Sequence, residues 1–69
     1  MRLSYDKLWK LLIANKMRKS DLMRAARISQ HIMSKLGRNE PVDIKYLMNI
    51  CLVFHCDIGD VVEFIESGN

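Results

Sequence analysis

The sequence predicts an all-α fold, a compact bundle of five short helices, and three observations carry that reading. Apolar residues recur at helical spacing along most of the 69-residue chain,. Only three glycines and one proline occur, which disfavours a turn-rich β fold, and no strand signal is visible,. Residues suited to capping, Ser4, Ser29, Asp43 and Asp57, stand just ahead of apolar stretches,. With 49% hydrophobic residues the chain can build one small core, so residues 1–66 are expected to form a single domain and 67–69 a frayed tail,.

The elements follow in order. Ser4 is placed to cap a first helix at about Tyr5–Asn15, with Leu8, Leu11 and Leu12 toward the core and Asp6 in the first turn,. Trp9 on this helix reads as a packing residue, with stacking on a base as the alternative. The second helix is expected at about Lys19–Ala25. Met17 outside it and Leu22 one turn inside have the spacing of a hydrophobic staple, and Asp21 faces the helix dipole,. Arg18, at the cap position, has no side-chain acceptor to offer,. Ser29 caps a third helix, about Gln30–Leu36, which Gly37 should end,. Pro41 keeps the next segment a loop. Asp43 caps a fourth helix, Ile44–Phe54, with Leu47, Ile50, Cys51 and Phe54 as its stripe, and Asp57 caps a fifth, Ile58–Ile65.

The stretch Lys19–Leu36 organises the rest. It reads as two short helices with a tight turn between them, and Ala25 and Ala26 keep side chains small where backbones approach. If Ile28, Met33 and Leu36 face inward, Gln30, His31, Ser34 and Lys35 face outward,. That face offers an amide, an imidazole, a hydroxyl and an ammonium, and no carboxylate. Such groups read base edges and grip phosphates. Charge is partitioned accordingly. Residues 1–38 hold ten Lys/Arg and two acids, a balance of +8, whereas 39–69 hold one Lys and six acids, a balance of −5. A basic half that coincides with the two-helix motif points to a polyanionic partner.

Other functions find little footing. Cys51 and Cys56, five residues apart, match neither a redox pair nor a usual zinc spacing, and read as two reduced core thiols of a cytoplasmic protein,. Four metal donors cannot be assembled, so no metal and no cofactor are expected. No phosphate loop or nucleophile motif occurs, and the histidines have no carboxylate partner at helical spacing, so no enzyme is expected,. Met1–Met17 lacks the unbroken apolar core of a signal peptide, and no apolar run approaches the roughly 20 residues that span a bilayer,.

The run MRKSDLMRAARISQHIMSKLGRNEPV resembles the helix-turn-helix of the Cro/phage-repressor (XRE-like) bacterial transcriptional regulators, above all the small single-domain members. The signs are Asp21-Leu22, Ala25-Ala26, Ile28-Ser29, Ser34-Lys35-Leu36-Gly37 and Asn39-Glu40-Pro41, and CDIGDVVEFI is similar to their closing helix. The resemblance implies a lambda-repressor-like five-helix fold that lays its third helix in the DNA major groove while the second crosses the backbone. On that pattern Gln30, His31 and Ser34 face base edges, and Lys19, Lys35, Arg38 and Asn39 contact phosphate. Arg27 and Lys16 stand where the family usually has Gly, and a left-handed conformation would cost each roughly 1 kcal/mol,. Met23 replaces a small residue. Ile32 stands where a polar residue is usual, and either touches a thymine methyl or sits at the edge of the core.

The expected function is therefore a sequence-specific regulator of transcription, a repressor, binding double-stranded DNA in the cytoplasm without a small-molecule ligand. One short helix reads few base pairs, so a homodimer is expected, with Leu52, Val53, Phe64 and Ile65 as candidates for its interface,. The alternative is a protein-interaction module, antitoxin-like or an anti-repressor partner, that keeps the fold without specific DNA binding. Apolar residues expected at the surface, Ile32, Leu52 and Phe64, speak for it.

Overall fold

The computed structural model describes residues 1–66, so the frayed tail expected at 67–69 lies outside the described residues. In chain order it shows β1 (Arg2–Ser4), α1 (Asp6–Ala14), α2 (Lys19–Ala26), α3 (Gln30–Gly37), α4 (Ile44–Phe54), a 3₁₀ turn (Ile58–Asp60) and β2 (Glu63–Ile65). The all-α helix-turn-helix class holds, with α2 and α3 as the pair. None of the helices among the described residues is long and apolar enough to cross a membrane.

The core forms where the apolar stripes meet. Leu8 and Leu12 of α1, Leu22 and Ala26 of α2, Ile32, Met33 and Leu36 of α3, and Leu47 and Ile50 of α4 are buried, together with Tyr5, Ile28 and Val61. Ile32 thus takes the core-edge alternative, and is no surface for a partner. Two polar ties set the frame. The Tyr5 hydroxyl donates to the Glu40 carbonyl at 2.8 Å, and Asn49 Nδ2 donates to the Ala26 carbonyl at 3.1 Å, joining α4 to the end of α2.

The fifth helix is corrected. Asp57 and Asp60 do cap a turn there, with Asp57 Oδ1 accepting from the Ile58 amide at 2.7 Å and Asp60 Oδ2 from the Asp57 amide at 3.0 Å. The helix stops after this single 3₁₀ turn. Val61 is fully buried, and the chain then extends and pairs antiparallel with β1, matching Arg2 to Ile65, Leu3 to Phe64 and Ser4 to Glu63. A run rich in β-branched and aromatic residues favours extension, and β1 supplies the partner for its backbone groups.

Smaller corrections concern helix ends. Tyr5, not Ser4, is the cap residue of α1, although Ser4 Oγ still accepts from the Asp6 amide at 3.2 Å. Gly37 lies inside α3 and does not end it; the left-handed residue is Asn39. All four helices end alike. Lys16, Arg27, Asn39 and His55 have φ between 53° and 57°, and the amide after each reaches back to a carbonyl five residues earlier: Met17 to Leu12, Ile28 to Met23, Glu40 to Lys35 and Cys56 to Cys51. These are Schellman caps, and none of their left-handed residues is glycine.

Candidate nucleic-acid interface

The exposed face of α3 is set at its first turn. Ser29 is extended, and its hydroxyl accepts from the Ile32 amide at 3.3 Å. Burial of Ile32, Met33 and Leu36 then fixes the helix rotation. Gln30 and His31 are exposed, and Ser34 and Lys35 are half-buried along the same side. Gln30 Nε2 donates to Ser34 Oγ at 3.3 Å, so two of the predicted base-reading groups are already linked. Among the described residues, α3 itself carries no carboxylate.

The predicted phosphate contacts divide into three situations. Lys19, the first residue of α2, holds its ammonium 4.9 Å from the centre of the Trp9 ring. Trp9 is half-buried against the core, and with Lys19 and Gly37 it lines one groove between the start of α2 and the end of α3. Its packing role is joined by a second one, as a cation–π platform that aims Lys19. Arg38 meets Glu40 through two bonds, at 2.7 and 3.4 Å. The Arg38 bonds hold the Glu40 carboxyl below the usual carboxylate range, and the charges of Arg38, Lys35 and His31 act in the same direction. Glu40 is thus an acid gathered among these basic groups, a neighbour that the sequence reading did not weigh. Asn39 turns inward. Its Oδ1 accepts from the Tyr5 amide at 3.1 Å, an arrangement suited to its left-handed backbone,.

The start of α2 is locked by charge. Asp21 Oδ2 accepts from the Arg18 amide at 2.9 Å, and Asp21 Oδ1 from Arg24 at 2.7 Å. The backbone bond first, and then the Arg18 and Arg24 charges, hold the Asp21 carboxyl below its ordinary value. So Arg18, without an acceptor of its own, is served by the reverse half of a capping box.

Several large apolar side chains are exposed on the C-terminal elements. Leu52 is 70% exposed and Phe64 71%, whereas Val53 and Ile65 are half-buried. The structure adds Ile44 and Met48, 54% and 61% exposed, which share a helix side with Leu52 at four-residue steps,. Sequence reading passed over both, since a helix stripe was already assigned to the core side of α4.

A short helix that presents polar groups from a tight turn, flanked by placed cations, defines a helix-turn-helix DNA-binding protein. The chain belongs to the Cro/C1-type helix-turn-helix DNA-binding domain family, which matches residues 7–67. It is also similar to a solved structure, the transcriptional regulator VanUg in crystal form II. The TM-score is 0.90 at 44% identity, covering 96% of this chain and 88% of that one. No curated protein sequence matches the chain. The family is one of DNA-binding domains, and the similar solved structure is that of a transcriptional regulator.

Proposed function

We propose that the protein is a sequence-specific, cytoplasmic repressor that inserts α3 into the major groove of double-stranded DNA. Gln30, His31 and Ser34 read base edges. Lys19 and Lys35 grip phosphate, joined by Arg38 once it leaves Glu40 and by the amide of Asn39. The single observation that carries this reading is the carboxylate-free exposed face of α3, with Lys19 aimed across from its end by Trp9. The similarity to VanUg, a transcriptional regulator, supports it. Residues 1–66 act as one domain, and two copies pair through Leu52, Val53, Phe64 and Ile65, joined by Ile44 and Met48, so that two α3 helices meet a palindromic site.

The test is a selection from random duplex DNA at low salt and again at higher salt. A single enriched motif should emerge, and affinity should fall steeply with salt as the cations displace condensed counterions. Absence of any duplex binding at low salt would transfer the function to an interaction module, which the exposed Leu52 and Phe64 would then serve.

A further inference from the structure

The cap of α4 brings together two side chains that stand five residues apart in the chain. A Schellman cap sets the side chain of its first residue against that of its last. Three of the four caps here are occupied by matched pairs. Leu12 with Met17 and Met23 with Ile28 are apolar pairs that join the core, and Lys35 with Glu40 sets a cation beside a carboxyl that is lowered first by its Arg38 bond and further by the Lys35 charge. In the fourth cap the pair is Cys51 with Cys56, both free thiols and both half-buried.

The geometry is that of a closable ring. The Cys56 amide donates to the Cys51 carbonyl at 3.1 Å across left-handed His55. With ordinary backbone bond lengths, that bond holds the two Cα atoms within about 7 Å, and any bend brings them inside the roughly 4.4–6.8 Å that a disulfide spans. The two side chains line one apolar groove of about 350 Å³ with Leu47, Met48, Leu52 and Ile58, open to a small reactant. The thiols also touch electrostatically: burial first, and then the Cys56 thiol beside it, push the Cys51 thiol up to about 11.

We propose that Cys51 and Cys56 are a dithiol that closes into an intramolecular disulfide by exchange with a low-molecular-weight disulfide. The Cys56 thiolate attacks one sulfur of the reagent, forming a mixed disulfide and releasing one thiolate, which takes a proton. Cys51 then loses its proton to solvent and attacks Cys56 Sγ, breaking the mixed disulfide and releasing the second thiolate. Two protein thiols are oxidised and one reagent disulfide is reduced to two thiols. Cys51 is the resolving partner because its thiolate is scarce. The ring fixes the end of α4 on the groove wall, beside the apolar surface of Leu52 and Met48.

The experiment incubates the full chain at low concentration with oxidised glutathione and reads intact mass, before and after dithiothreitol. The expected product lacks two hydrogens, carries no glutathionyl group and returns to the reduced mass with dithiothreitol. Cys51→Ser should stop at one glutathionyl adduct, whereas Cys56→Ser, left with the thiol whose thiolate is scarce, should form its adduct far more slowly,. An unmodified protein that keeps both thiols reduced, or stable adducts on both cysteines, would overturn the proposal. Disulfide-linked dimers in place of the ring would overturn it equally.

Discussion

Gln30 and Lys35 leave the same helix with different chemistry, and their substitutions should separate accordingly. Gln30 offers an amide that can bond one base edge in two directions, so Gln30→Ala should cost about 1–3 kcal/mol at the cognate site and relax preference at one position. Lys35→Ala should weaken cognate and random DNA by the same factor. Titration of both variants against both DNAs checks this, and equal losses everywhere would remove the division of roles. Arg27 poses a second question at this scale, since its φ is 56° where a side chain meets its own carbonyl. Relief of that contact outweighs the added freedom of glycine in the unfolded chain. Arg27→Gly should therefore raise stability by about 0.5–1 kcal/mol. A urea midpoint that does not move upward would show that the cap carries no strain.

At the scale of the element, the start of α2 depends on ionised Asp21. Its carboxyl is held below its ordinary value by the Arg18 amide and by the Arg18 and Arg24 charges. A lowered folded-state value means that the fold favours the charged form. The contribution is then present above the ordinary carboxylate value, about 3.9, and is lost as pH falls through the folded value. Asp21→Asn should lower the urea midpoint at neutral pH, and the gap should narrow as pH falls through the folded value of Asp21, where the native carboxyl becomes neutral as well,. A gap that persists unchanged in acid would assign the role of Asp21 to hydrogen bonding without charge. The C-terminal segment gives the other lesson of this scale. Ile58–Ile65 has an acidic cap and apolar residues at helical spacing, yet becomes a single turn and a strand, because β1 is there to pair with it.

For the whole molecule, most exposed apolar side chains stand on elements other than the basic helix pair, although Ile13 shares the Lys19 groove. The cations of α2 and α3 stand near the candidate DNA face, whereas Ile44, Met48, Leu52 and Phe64 are exposed on α4 and β2. Symmetric pairing through that surface would bury it on both copies. A protomer 37 Å in its longest dimension is large enough to set two α3 helices one DNA turn apart, about 34 Å. Light scattering over a concentration series should show a monomer–dimer equilibrium. Phe64→Asp and Met48→Asp should each weaken it tenfold or more, about 1.4 kcal/mol. Both positions are open to solvent, so neither substitution should unfold the protomer. A monomer at every concentration, or a dimer indifferent to both changes, would move the interface elsewhere.

What the sequence alone determined is local. The stripes of α1 to α4, the Ser29 cap, and the outward side of α3 follow from spacings of two to eight residues, which helical geometry converts directly into position,. Even Asp43 and Pro41 set the start of α4 within that range. The tertiary structure decided whatever depends on partners far along the chain. The pairing of Arg2–Ser4 with Glu63–Ile65, the anchoring of Tyr5 on Asn39 and Glu40, and the seat of Lys19 on Trp9 join residues with no common period. The same holds for the left-handed caps. Four non-glycine residues accept an unfavourable backbone because packing of the helices on either side leaves the chain no other turn, and one of those turns sets Cys51 against Cys56,.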